Sequence, residues 1–182
     1  MASPKIKNIM NSEAIDRSIT RLAHEILERN HGANELMLIG ILSRGEPLAK
    51  RLQALIQKIS GKKTPIGFLD ITFHRDDFRE RLVVPQVKGT DINDSIDDKI
   101  VVLVDDVLFT GRTIRAALTA VETFGRPNNI ELLTLIDRRF SRHLPIQPDY
   151  RGRQIDVYEN QKVIVDWNNE IGEDCVYIIN KI

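Results

Sequence analysis

Apolar positions along this chain alternate between helical spacing and short unbroken runs. Between Ser12 and Asn30, Ile15, Ile19, Leu22, Ala23, Ile26 and Leu27 return every three or four residues, with Glu13 and Asp16 in the first turn and Gly32 just beyond the end. This spacing predicts an amphipathic helix. Leu36 to Leu42 (LMLIGIL) is instead almost continuously apolar and of strand length, as expected of a strand covered on both faces. It gives way to Ser43-Arg44-Gly45-Glu46, after which Pro47 suits the first turn of a helix. The buried stripe of that helix would be Leu48, Leu52, Leu55, Ile56 and Ile59, with Gly61 as its stop.

Ile66 to Phe73 (IGFLDITF) reads as the next strand. The segment His74 to Lys99 that follows is charged, contains Pro85 and Gly89, and holds only Leu82-Val83-Val84 as a weak strand candidate. An excursion of this length inside a compact domain is expected to be a lid or a hairpin. Ile100 to Val104 is then a buried strand, and Thr113 to Phe124 a helix with Ile114, Ala117, Leu118 and Val121 inward. Ile130 to Ile136 is another buried strand, and shorter strand candidates follow at Ile155 to Tyr158, Lys162 to Trp167 and Val176 to Ile179. The alternation predicts an α/β fold with a central parallel sheet of about five strands flanked by helices. No internal repeat or domain linker interrupts residues 1–182, so a single domain is expected, with residues 137–182 forming a small hood and C-terminal strands.

Composition narrows the function classes. With 182 residues the chain can bury a substantial core, and 26 basic against 26 acidic side chains give no net charge. That balance excludes the strongly basic field of a general nucleic-acid binder, so any RNA contact needs a local patch. The single cysteine, Cys175, excludes an intrachain disulfide and a CxxC site, and points to a reducing, cytoplasmic setting. The N-terminal MASPKIKNIM is too polar for a signal peptide, and no apolar run approaches membrane-spanning length.

The chemistry concentrates in Val101 to Thr113 (VVLVDDVLFTGRT). Asp105 and Asp106 stand directly after the predicted strand, and Thr110-Gly111-Arg112-Thr113 opens the next helix. In open α/β sheets ligands bind beyond the carboxyl ends of the strands, and a helix N-terminus offers unpaired N–H groups and a positive dipole end to a phosphate. Gly111 lets the backbone approach, while the Thr110 and Thr113 hydroxyls can donate. Two acids beside a phosphate cradle would repel a naked anion. They are better explained as acceptors for vicinal ribose hydroxyls or as ligands of a hydrated divalent cation, which together imply a pentose phosphate. The pattern is neither GxxxxGK[ST] nor GxGxxG.

These thirteen residues, four apolar, two acidic, three more apolar, then TGRT, resemble the phosphoribosyl-diphosphate signature of the type I phosphoribosyltransferases. The resemblance extends to the PyrR family through Arg44-Gly45-Glu46-Pro47-Leu48-Ala49, Leu69-Asp70-Ile71-Thr72, Arg75-Asp76-Asp77, Val87-Lys88-Gly89-Thr90-Asp91-Ile92 and Gly125-Arg126-Pro127. Leu144-Pro145-Ile146 and Asp149-Tyr150 continue it, in the family's order, across about Thr20 to Gly152. The resemblance implies a type I phosphoribosyltransferase fold with a hood and a flexible lid or hairpin at residues 74–99. It implies conversion of uracil and 5-phosphoribosyl 1-diphosphate (PRPP) to UMP and diphosphate, with Mg²⁺ carried by the diphosphate. Family members also bind a pyr leader mRNA in response to UMP or UTP, and homodimers or higher homo-oligomers are expected.

Carried onto this chain, Phe109, Thr110, Gly111, Arg112 and Thr113 would hold the 5-phosphate end of PRPP, and Asp105 and Asp106 the ribose hydroxyls. Ser43, Arg44 and Gly45 match the diphosphate loop, where the family usually has Thr in place of Ser43. Arg75, Arg79 and Lys88 are lid candidates, Arg75 with a catalytic role. Ile136, Asp137 and Arg138 match the base site, but the following Arg139-Phe140-Ser141-Arg142-His143 is one residue longer than the family pattern and lacks its Gly. Arg21, His24, Arg29, Arg142 and Arg153 stand where the family contacts RNA, and residues 137–153 hold five arginines against two aspartates. Two alternatives remain open at this level: an RNA-binding attenuator in which catalysis is secondary, and a phosphoribosyltransferase for a purine base.

Overall fold

The computed structural model describes residues 7–74, 89–167 and 172–180. The expected lid residues Arg75, Arg79 and Lys88, and the strand candidate Leu82-Val83-Val84, therefore lie outside the described residues.

The chain begins with a short strand β1 (Lys7–Met10) and helix α1 (Ser12–Arg29). Asn11 caps α1 by accepting a hydrogen bond from the Ala14 amide at 3.0 Å, one of the orphan N–H groups of the first turn. Then come β2 (Leu36–Ile41), α2 (Gly45–Ser60) and β3 (Ile66–Leu69). Gly61 closes α2 in the left-handed conformation at φ +71°, as its position in the sequence predicts. After the excursion follow β4 (Ile100–Leu108), α3 (Arg112–Val121), β5 (Asn129–Arg138) and β6 (Tyr150–Ile155), then β7 (Gln161–Asp166) and β8 (Cys175–Asn180).

Five of these strands form one all-parallel sheet in the order β3-β2-β4-β5-β6. Both faces are buried because alternate side chains enter different cores. Leu36, Leu38, Val102 and Val104 pack with the apolar stripes of α1 and α2, while Met37, Ile39, Val101 and Leu103 pack with α3. Leu52 and Ile56 of α2 are fully buried, and removing a side chain of that size from water contributes ~1.5–3 kcal/mol. The remaining strands make a small antiparallel sheet, β1-β8-β7, whose Met10, Val163, Val165, Val176 and Ile178 join the α1 core.

Several boundaries differ from the sequence expectation. The strand expected over Ile66–Phe73 ends at Leu69, because the Asp70 carboxylate accepts from the Thr72 amide (2.9 Å) and hydroxyl and turns the chain into a 3₁₀ turn at Thr72–His74. β4 runs on to Leu108 rather than stopping at Val104, since Asp105, Val107 and Leu108 pair with Thr134, Ile136 and Asp137 of β5. The strand sought at Ile155–Tyr158 is instead β6, whose exposed Arg151, Arg153 and Gln154 mask an edge strand, and β1 gives no apolar pattern of its own. α3 ends at Val121, where Thr123 and Phe124 turn back to bond Ala120 and Val121.

Candidate active site

The strand order places the site. α2 carries the chain from β2 outward to β3, whereas β4 returns on the opposite side of β2, so the sequence of strands reverses between β2 and β4. At such a reversal the connections leave the sheet in opposite directions and open a crevice at the carboxyl ends of the strands. A cleft of about 440 Å³ lies there, lined by Ile41 to Arg44 at the end of β2, Asp105 to Val107 of β4, Thr113 of α3 and the turn residues Ile71 and Thr72.

On the β2 side, Gly45 permits the close approach that forms the cleft wall. A Cβ at this residue would lie 2.2 Å from the Val104 carbonyl oxygen, so only glycine lets α2 start against β4. Arg44 immediately precedes it, half exposed. Its Nη1 lies 3.9 Å from Asp106 Oδ2 and donates to the Val165 carbonyl of β7 at 3.4 Å.

The acids are 8% and 6% exposed, so both must be considered as buried charges. Asp105 Oδ1 accepts from the Asp106 amide at 2.9 Å, whereas Asp106 Oδ2 is buried with no hydrogen-bond partner. Burial pushes Asp105 well above the ordinary carboxylate range, with the Asp106 charge adding to the shift. Burial also raises Asp106, opposed by the Arg44 guanidinium. A buried carboxylate oxygen without a donor, opening on a cleft, suits a hydroxyl donor or a cation carried by a ligand.

On the far side of the cleft, Phe109 and Thr110 lead into Gly111, which takes φ +93° at the N-cap of α3 and carries no side chain to cap it. Arg112 and Thr113 form the first turn, with Thr113 on the cleft wall. The helix end thus presents its positive dipole end beside the two acids.

The expected base residues sit at the end of β5. Ile136 is wholly buried in the α1 core. The Asp137 carboxylate is taken up by Arg142, by Gln154 at 3.2 Å and by Arg151 at 3.7 Å. Arg138 lies 4.0 Å from the centre of the Phe109 ring, its Nε buried without a hydrogen-bond partner and its pKa lowered by desolvation. A second cavity of about 370 Å³ lies there, bounded by Phe109, Arg138, His143 and Val157 among others.

Of the expected RNA contacts, Arg21 and His24 lie exposed on α1, in one stripe with Arg17 and Glu28. Arg21 also donates to the Arg151 and Gly152 carbonyls of β6 at 3.0 and 2.8 Å. Arg29 pairs with Asp149 (2.9 Å) and Glu131 (3.2 Å), and Arg153 donates to the Ile9 carbonyl at 2.6 Å. Arg142 is 21% exposed at its side chain and turned inward. Thr72 and Ile71 are cleft residues to which sequence reasoning gave no role, although they belong to the Leu69-Asp70-Ile71-Thr72 motif. No helix among the described residues is long and apolar enough to cross a membrane.

Comparison with known proteins agrees with this geometry. The phosphoribosyl transferase domain family matches residues 5–168. The bifunctional protein PyrR of Thermoanaerobacter sp. (strain X514) is 52% identical over 162 residues, covering 88% of this chain and 90% of that protein. The bifunctional protein PyrR of Clostridioides difficile (strain 630) is 46% identical over 170 residues, covering 93% and 96%. Among solved structures, the hypoxanthine phosphoribosyltransferase of Trypanosoma cruzi superposes with a TM-score of 0.72 at 21% identity, covering 96% of this chain and 97% of that one, a likeness of fold. The chain is a member of the type I phosphoribosyltransferases and, within them, belongs to the PyrR family.

Proposed function

We propose that this protein transfers the phosphoribosyl group of PRPP to uracil, giving UMP and diphosphate. The observation that carries the reading is the single cleft at the β2/β4 reversal, where Ser43 and Arg44, the acids Asp105 and Asp106, and Thr113 at the head of α3 face one another. It lies in a chain 46–52% identical to PyrR proteins over most of its length.

In this reading the 5-phosphate sits on the turn Phe109–Thr113, held by backbone N–H groups and the threonine hydroxyls. Asp105 and Asp106 take the ribose hydroxyls, Asp106 through the Oδ2 that has no hydrogen-bond partner. As diphosphate leaves C1, positive charge grows on the ring, and carboxylates in a shielded site stabilise it more strongly than water would. Arg44 turns from Asp106 and Val165 toward the departing diphosphate, and the Gly45 backbone approaches it closely. The donor set fits Mg²⁺: two adjacent carboxylates, one with an orphan oxygen, suit a hydrated cation that arrives on the diphosphate. When bound, Mg²⁺ neutralises charge on the leaving group. Arg138 and backbone groups beyond β5 face the base, since Asp137 is already occupied by its cations. By family resemblance, Arg75 assists, and the protein works as a homodimer in the cytoplasm.

A second reading joins the first: a UMP- or UTP-responsive contact with pyr leader mRNA. It is favoured by the packing of α1 along β6, where exposed Arg21 reaches the Arg151 and Gly152 carbonyls. Turnover with Mg²⁺, PRPP and, in parallel, uracil, hypoxanthine, guanine and orotate tests the activity; preference for a purine, or no turnover, refutes it. Retention of leader RNA that falls steeply with added salt tests the second reading.

A further inference from the structure

Arg142 lies in the connection between β5 and β6, outside the cleft, yet all three of its guanidinium nitrogens are engaged. Nε donates to the Ile146 carbonyl at 2.8 Å, and Nη2 donates to the Asp137 carboxylate. Nη1 faces three carbonyls, Phe109 at 2.6 Å, Arg138 at 3.1 Å and Leu108 at 3.3 Å. Leu108 and Phe109 are the last two residues before Thr110-Gly111-Arg112-Thr113, while Asp137 and Arg138 end β5. One side chain therefore ties the turn that leads into α3 to the strand end beside the base.

Its neighbours repeat the tie. Ser141 Oγ donates toward the same Phe109 and Arg138 carbonyls at 3.3 and 3.0 Å, and the His143 amide donates to the Thr110 carbonyl at 3.0 Å. Leu144 and Ile146 close the other side of the turn, for a Cβ on Gly111 would lie 3.4 Å from Leu144 Cβ and 3.2 Å from Ile146 Cδ1. The N-cap of α3 has no side-chain cap, and these contacts fix the turn before the helix through its carbonyls rather than through its N–H groups. Only a planar fork of five donors can meet carbonyls from two strand ends and a carboxylate at once; an ammonium offers three donors around one point.

We infer that Arg142 is a positioning residue for the reaction, pinning the 5-phosphate turn to the end of β5 so that the two sides of the PRPP and base sites keep one geometry. This rests on the phosphoribosyltransferase reading of the cleft. Displacement of a substrate by ~1 Å costs on the order of 10²-fold in rate, so loosening this pin is expected to be felt in PRPP use.

The test compares wild type, Arg142→Ala and Arg142→Lys by calorimetric binding of Mg²⁺-PRPP without base, and by turnover at varied PRPP. Arg142→Ala is expected to weaken PRPP binding and raise its KM by about tenfold or more, within the range that such misplacement allows. Added methylguanidine is expected to restore much of the loss, and Arg142→Lys to fall between the other two. A merely structural defect would not respond to methylguanidine. Wild-type PRPP affinity in both variants overturns the inference, as does a loss in a folded variant that methylguanidine leaves unchanged. Should Arg142→Ala fail to fold, Arg142→Lys carries the same comparison, with wild-type affinity again overturning it. A wild type that binds PRPP but uses no uracil refutes the base assignment while the binding measurement still decides the role of Arg142; a wild type that binds no PRPP overturns both.

Discussion

Replacing Gly45 with alanine is the sharpest test of how the cleft is built. The new Cβ would meet the Val104 carbonyl oxygen at 2.2 Å and the Val104 carbonyl carbon at 3.1 Å. Bringing the oxygen contact to the 3.0 Å that real Cβ atoms tolerate takes a movement of at least about 0.8 Å (3.0 − 2.2). Val104 cannot supply it, because it sits mid-strand in β4, paired to Gly40 of β2 on one side and Leu133 of β5 on the other. The first turn of α2 must move instead, and Arg44 moves with it away from Asp106. Overpacking of this kind costs ~1–3 kcal/mol, which for a chain of this size lowers the melting temperature by about 2–12 °C. If Ser43–Gly45 holds the diphosphate as proposed, a shift approaching 1 Å there is worth on the order of 10²-fold in kcat/KM for PRPP. Thermal melts and initial rates at varied PRPP read both quantities. Gly61→Ala is the control, since that glycine has nothing within 4 Å of a Cβ but holds φ +71°. It should lose ~1–2 kcal/mol of stability and keep wild-type kinetics. Wild-type melting and PRPP kinetics in Gly45→Ala would refute the argument.

Asp106→Asn is expected to keep the fold and lose about 10²–10³-fold in turnover, in line with removal of one electrostatic contact to a developing charge; a wild-type rate removes Asp106 from the site. Burial raises the folded-state pKa of Asp105, with the Asp106 charge second, so the folded protein holds this proton to higher pH than the unfolded chain does. Stability therefore falls as pH rises from the ordinary carboxylate range through the raised folded value, and the penalty is fully present above it. Asp105→Asn should accordingly melt higher at neutral pH, with the gain fading in acid; a lower melting temperature at neutral pH contradicts this. Arg44→Ala should raise the KM for PRPP and, by removing the cation that holds Asp106 down, move the acidic limb of the pH–rate profile to higher pH. Unchanged PRPP kinetics would exclude Arg44 from the diphosphate loop.

The two-sided strands β2, β4 and β5 and the amphipathic helices α1 and α2 were legible in the sequence because burial on both faces, or along one stripe, leaves a periodic record in residue type. The run from Asp105 and Asp106 to Thr110–Thr113 stood out for a related reason, since its acids and its TGRT lie at fixed offsets along one stretch of chain, and the fold brings Asp105, Asp106 and Thr113 onto one cleft. The edge strands β1 and β6 left almost no record, because a strand paired on one side needs no apolar alternation to form. Nor does spacing reveal that β4 continues through both acids, which depends on pairing with Thr134, Ile136 and Asp137 about thirty residues later. What only the tertiary structure decided was partnership. The strand reversal put Ser43 and Arg44 opposite Asp106, the approach of α2 to Val104 made Gly45 indispensable, and the loop after β5 brought Arg142 against the turn that leads into α3. Each is a contact between segments far apart in the chain, where geometry chooses among many chemically adequate residues and local pattern carries no trace of the choice.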